Sequence, residues 1–150
     1  MIDTGVILER LDALQEYVDK LRPFQSQSPE QLLADENYRD YWAVQRGLTL
    51  AAQCVMDVSS HLVAGLRLGR AQDYTEAIRL LAKGQILPQS FAERLSRIAG
   101  FRNVLIHEYL AIDPLKVYEA LQNLDDLEAF IDHVHDFLRR EGYLEYLLKM

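Results

Sequence analysis

Four chemically capable residues fall within the short stretch F-R-N-V-L-I-H-E-Y: Arg102, Asn103, His107 and Tyr109. Histidine is the side chain that changes charge near neutrality, so His107 suits a general base or acid. Arg102 is permanently cationic, and its planar fork matches oxygens on which negative charge develops, those of phosphate above all. On an α-helix, at about 100° per residue, Phe101, Val104 and Leu105 cluster on one side while Arg102, Asn103 and His107 fall mostly on the other. Asn103 and His107 are one turn apart, and Tyr109 returns to within about 20° of Arg102. Ile106 lies between Arg102 and His107, and an apolar residue inside a polar group points to partial cover by another chain. Spacing alone leaves a plainer reading open: a surface arginine and a hydrogen-bonded histidine on an ordinary bundle helix.

Other candidates fail on geometry. His133 and His135 are two apart on a helix, about 200° around its axis, and cannot share a metal. His61 has no spaced partner, and Asp125, Asp126 and Glu128 read as the solvated side of the last helix. Gly65, Gly69 and Gly84 follow no strand, so they form no phosphate loop. Cys54 sits among Ala51, Ala52, Val55 and Met56 and reads as a buried, inert thiol. Asp57 is a lone acid between Val55, Met56 and Val58, where an unpaired charge is costly. It either pairs with Arg102 or His107, or serves a helix surface or cap.

The elements that position these residues are helical throughout. Val6, Leu8, Leu11, Leu14, Val18 and Leu21 recur at three- and four-residue steps, with Asp3 or Thr4 as cap and a stop before Pro23. Ser28, Pro29 and Gln31 form a start signal of cap, proline and reciprocal glutamine. The apolar run from Leu32 to Leu62 is long for one helix, so Asp35-Glu36-Asn37 is expected to interrupt it, and Gly65 and Gly69 mark its end. Asp73 caps a short helix stopped by Gly84, and Pro88 opens another, with Gly100 as an expected break. Asp113-Pro114 starts a long amphipathic helix running from Leu115 through Leu138 and closed by Gly142. No stretch alternates with period 2, and the expected class is an all-α bundle of about four main helices.

Composition bounds the answer further. The chain has 150 residues, 49% hydrophobic and 26% charged, with 7 Gly, 4 Pro and one Cys. This excludes disordered, collagen-like and disulfide-framework classes and suits one domain over residues 1–150. No apolar run approaches the roughly 18 residues that would span a bilayer, and the N-terminus lacks a secretory pattern, so the expectation is a cytoplasmic protein. The net charge of −7 argues against a polyanion binder, yet its distribution is uneven. Residues 61–106 carry 7 Lys/Arg against 3 Asp/Glu, while residues 1–60 carry 5 against 10 and residues 107–150 carry 4 against 10. A local phosphate-binding patch (Arg67, Arg70, Arg79, Lys83, Arg94, Arg97, Arg102) is compatible with an acidic total. Cations that merely decorate solvated helices fit the same count.

The string R-N-V-L-I-H-E-Y, Arg then four residues then His-x-Tyr, resembles the motif of HEPN-domain proteins of the HepT-like toxin family. Gly100-Phe101 before it and L-A-I-D-P after it fit that family, and the likeness covers essentially the whole chain. The resemblance implies a HEPN-like four-helix up-and-down bundle with an extra short helix or two. It also implies the toxin of a toxin–antitoxin system, a metal-independent endoribonuclease without cofactors and without membrane attachment. RNA supplies its own nucleophile, the 2′-OH, so Arg102 and His107 as catalytic residues need only stabilise charge and move protons. One histidine cannot both accept and donate in a single step, and a homodimer pairing two copies of the motif answers that. Asn103 and Asp57 are then supporting residues, with Asn103 orienting His107 or a nearby backbone group. Tyr109 contacts substrate or positions His107. By the same resemblance it accepts adenylyl groups from an ATP-using minimal nucleotidyltransferase antitoxin, placing negative phosphate beside Arg102. Two competing readings are a non-catalytic HEPN module that binds nucleotide or partner, and an inert helical interaction protein.

Overall fold

A computed structural model describes residues 1–145. Its regular elements are the helices α1 (Thr4–Leu21), α2 (Pro29–Leu32), α3 (Tyr38–Gly65), α4 (Tyr74–Lys83), α5 (Gln89–Leu95), α6 (Arg97–His107), α7 (Pro114–Gln122) and α8 (Leu124–Arg140), with 3-10 turns at Arg22–Ser26 and Asp35–Asn37. The class is all-α, as expected, but the short helices outnumber the one or two anticipated.

Local chemistry explains the starts. Asp3 accepts a hydrogen bond from the Val6 amide, Asp73 from Glu76 and Asp113 from Leu115, each relieving an orphan donor of a first turn. Ser28 and Gln31 complete a reciprocal capping box around Pro29. The acidic segment at Asp35–Asn37 separates α2 from α3, as its polarity suggested.

Two expectations about breaks are corrected. The break after Pro88 falls at Ser96, not Gly100: the Ser96 hydroxyl donates to the Glu93 carbonyl at 2.8 Å, while Gly100 lies within α6. A serine returning its hydroxyl to the preceding turn competes with the helix ladder and bends it. The single helix expected from Leu115 to Leu138 is two, α7 and α8, because Asn123 leaves the helical region (φ −103°, ψ 26°) and its amide donates to the Glu119 carbonyl at 3.0 Å. The helices end where the glycines suggested, α3 at Gly65, α4 before Gly84 and α8 just before Gly142, but the chain also turns through other residues. The non-glycine residues with positive φ after α3 and α4 are Arg67 (φ 54°) and Gln85 (φ 63°). At each, the amide of the following residue returns to the helix, Leu68 to Val63 and Ile86 to Leu81. Gly84 instead allows a close approach: a Cβ there would lie 2.8 Å from Leu68 Cδ2.

One apolar core runs through the described residues. Ile7, Leu11, Leu14 and Val18 of α1 pack with Val55, Met56 and Leu62 of α3 and Phe130, Val134 and Leu138 of α8. These side chains are fully buried, and truncating one of the large ones to alanine costs about 2–5 kcal/mol. Helix α3 is the hub, packed against α1, α4 and α6. It therefore forms the wall against which α6 presents its polar residues. No helix among the described residues is long and apolar enough to cross a membrane.

Candidate active site

Arg102 lies midway along α6, half-buried, and reaches back to the hub helix. Its Nη2 donates to Gln53 Oε1 at 2.7 Å, and its Nη1 to Asn103 Oδ1 at 3.3 Å. The guanidinium carbon sits 5.8 Å from the centre of the Tyr74 ring of α4, within cation–π range. Gln53 in turn donates through Nε2 to Asp57 Oδ1 at 2.8 Å, and Arg10 Nε of α1 lies 3.8 Å from Asp57 Oδ2. A chain of polar groups thus crosses three helices: Arg10 of α1, Asp57 and Gln53 of α3, and Arg102 of α6.

This geometry revises two expected partnerships. Asp57 does not meet Arg102 or His107 directly; Gln53 stands between Asp57 and Arg102 because it occupies the intervening turn of α3. Asn103 bonds to Arg102 rather than to His107. Gln53, Tyr74 and Arg10 escaped the reading of the sequence. Gln53 was discoverable in part, since an amide four residues before a carboxylate on a helix is a pairing signal. Nothing in the sequence marks Tyr74, which the packing of α4 on α3 brings under Arg102.

His107 is the last residue of α6 and exposed, its position held by the Glu108 amide donating to the Val104 carbonyl at 3.0 Å. Five residues along a helix place it about 140° around the axis from Arg102. Among the described residues no hydrogen bond joins His107 to Arg102, Asn103 or Asp57. Tyr109 lies beyond the helix rather than on it, 69% exposed in a turn closed by the Ala111 amide on the Glu108 carbonyl. The chain has to reverse here to deliver Asp113-Pro114 to the start of α7, so the helical projection of Tyr109 onto Arg102 does not hold. Around this end are exposed apolar side chains: Ile106, Leu110 at 90% and Leu115.

The basic residues of the middle segment are partly spoken for. Arg79 pairs with Glu93 at 3.0 Å and Arg94 with Asp126 at 3.2 Å. Arg67, Arg70, Lys83 and Arg97 are exposed and form no ion pair among the described residues. A groove of about 440 Å³ beside Arg97, Ile98, Phe101 and Lys116 lies on another side of α6 and includes neither Arg102 nor His107. A second cavity of about 340 Å³, lined by Arg10, Asp57, His61 and Tyr74, adjoins the polar chain behind Arg102. Cys54 is buried as expected, and burial first, then the nearby Asp57 charge, pushes its thiol up to about 11. Among the described residues no three His, Cys, Asp or Glu side chains gather as a metal site.

The arrangement can hold an anion's oxygens on a cation that is anchored by neutral acceptors, with a titratable imidazole nearby at the free end of the same helix. Known proteins are similar to this chain over much of its length. The family model described as Ribonuclease HepT-like matches residues 14–134. The tRNA nuclease HepT of Aphanizomenon flos-aquae is 29% identical over 138 residues, covering 91% of this chain and 92% of the relative. The mRNA nuclease HepT of Shewanella oneidensis is 27% identical over 86 residues, 57% of this chain and 65% of the relative. Among solved structures, the tri-AMPylated Shewanella oneidensis HEPN toxin in complex with MNT antitoxin superposes with a TM-score of 0.78 at 22% identity, over 91% of this chain and 99% of that one. The match spans α3, α6 and the turn that carries Tyr109, and this chain belongs to the ribonuclease HepT-like family.

Proposed function

We propose that this chain is a ribonuclease toxin that cleaves RNA without a metal ion, through Arg102 and His107 brought together from two copies of the chain. The observation that carries this reading is the contrast within α6: Arg102 is held by uncharged acceptors and His107 stands exposed and unbonded among the described residues. Gln53 and Asn103 fix the guanidinium without neutralising it, so its charge stays available to phosphate oxygens. Within one chain the two groups are about 140° apart and do not touch, and a two-fold partner supplies the missing geometry. The exposed Ile106, Leu110 and Leu115 provide apolar surface for that partner.

The chemistry then balances. The 2′-oxygen attacks phosphorus as one His107 accepts its proton, and the bond from phosphorus to the 5′-oxygen breaks as the partner's His107, protonated, returns one. Arg102 stabilises the charge on the non-bridging oxygens, and the products are a 2′,3′-cyclic phosphate and a 5′-hydroxyl. Tyr109, exposed beside this site, is the acceptor of AMP from an ATP-using nucleotidyltransferase antitoxin. Its oxygen bonds to the α-phosphorus and pyrophosphate leaves. The tri-AMPylated Shewanella toxin supports this assignment by likeness of fold. Bulk and negative charge at the His107 end of α6 would then shut the site.

The test is cleavage of RNA by the pure protein in excess chelator, with Arg102→Ala and His107→Ala as controls. Wild-type cleavage abolished in both folded variants is the expected result. The absence of contact between Arg102 and His107 favours one alternative, a non-catalytic nucleotide- or partner-binding module, which predicts RNA left intact by the wild type as well.

A further inference from the structure

We propose that Gln53 is a positioning residue for Arg102, acting as an amide relay that fixes the guanidinium while leaving its charge uncompensated. This rests on the ribonuclease reading for its catalytic meaning, and on the polar chain itself for its structural meaning. Gln53 sits between a group that only donates, Arg102, and a group that when ionised only accepts, Asp57. Its amide can satisfy both in one orientation alone: oxygen toward Arg102 Nη2 at 2.7 Å, nitrogen toward Asp57 Oδ1 at 2.8 Å. Asp57, steadied on its other oxygen side by Arg10 at 3.8 Å, therefore sets which way the amide faces. The anchor matters because little else holds the guanidinium. Its bond to Asn103 is long at 3.3 Å, Tyr74 contributes only a ring face, and Nε is buried with no partner among the described residues.

A carboxylate at position 53 would grip Arg102 more strongly, but it would cancel the charge that a phosphate needs. It would also face Asp57 across 2.8 Å, a like-charge contact. An amide avoids both. The titratable and charged groups around this point are Arg10 of α1, Asp57 and His61 of α3, Tyr74 of α4 and Arg102 of α6. A protonated carboxyl has the same acceptor-plus-donor pattern as an amide, so Gln53→Glu should mimic the wild type only when it carries a proton.

The experiment compares wild type, Gln53→Met, Gln53→Glu and Arg102→Ala in single-turnover RNA cleavage across pH, alongside 15N NMR of the arginine side chains in the free protein. Gln53→Met keeps the volume and removes both hydrogen bonds. It should lower kcat by about 10- to 100-fold, the scale of one hydrogen bond to a charged group, with a much smaller change in affinity for an uncleavable 2′-deoxy oligonucleotide. The ratio of Gln53→Glu activity to wild-type activity should rise as pH falls. In the NMR spectra, the Arg102 guanidinium should show slowed rotation in wild type and lose it in Gln53→Met, whether or not RNA is cut. Wild-type kcat in Gln53→Met, a pH-independent ratio for Gln53→Glu, or a freely rotating Arg102 in wild type would each overturn the relay. Cleavage that persists in Arg102→Ala would instead overturn the ribonuclease reading, and the NMR arm would still judge the relay.

Discussion

The middle of α6 and its C-terminal end are built on opposite principles. At Arg102 the side chain is tied inward, half-buried, bonded to Gln53 on the hub helix and laid over Tyr74. At His107 the helix simply stops, and the imidazole, Tyr109 and Leu110 project from the last turn and the loop after it with no side-chain anchor among the described residues. The tied middle suits a group that must hold still while charge develops opposite it, since a preorganised cation costs no reorganisation at the moment of reaction. The free end suits groups that must meet something from outside: a proton, a modifying enzyme, a second copy of the chain.

The contrast breaks most sharply if either region loses its principal group. His107→Ala and Arg102→Ala are expected to lower RNA cleavage by about 100-fold or more each, with helical circular dichroism unchanged. Arg102→Lys should recover little, because a lysine ammonium cannot reproduce the fork that reaches Gln53 and phosphate together. A smaller effect tests the free end as an assembly surface. Placing a charge with Ile106→Asp or Leu110→Asp should raise the dimer dissociation constant by at least about tenfold in light scattering, and cleavage should fall with the dimer fraction. Cleavage that survives in a monomer would remove the need for two copies.

Milder still is the loss of one exposed hydroxyl. Tyr109→Phe should leave cleavage within about a factor of ten and take up no AMP by intact-mass measurement when mixed with a nucleotidyltransferase antitoxin and ATP. A mass gain in that variant would place the acceptor elsewhere. The smallest effect belongs to the buried neighbour of Gln53. The Cys54 thiol should resist iodoacetamide at neutral pH, reacting appreciably only as pH approaches about 11. Its raised value means that the folded state keeps a proton the unfolded thiol loses near 9. The stabilising contribution is therefore complete below about pH 9 and fades as pH rises towards 11.

Much of this was legible in the chain because it is local. Asp3, Ser28, Asp73 and Asp113 cap helices within three residues of themselves, and each cap forms as its spacing suggests. The breaks were harder. Gly100 looked like a helix end and is not, while Ser96 and Asn123 look ordinary and end helices through side-chain bonds to carbonyls three and four residues back. Glycine lowers helix propensity by about 1 kcal/mol, which packing overrides, whereas a side chain that takes a backbone carbonyl competes with the ladder at the point of failure. Asp57 stands out in the sequence as a charge in need of company, and that company is Gln53 and Arg10 rather than Arg102 or His107.

By itself the sequence determined that the protein is helical, where most helices begin, and that Arg102, Asn103 and His107 share one helix, because those properties depend on neighbours within a turn or two. Tertiary structure alone decided that Arg102 bonds to Gln53, 49 positions earlier in the chain, that Tyr74 lies beneath it, and that Tyr109 falls in a turn rather than on the helix. Those outcomes depend on how α3, α4 and α6 pack, and an interhelical hydrogen bond is chosen by which side chains that packing brings within about 3 Å of each other, not by their separation along the chain.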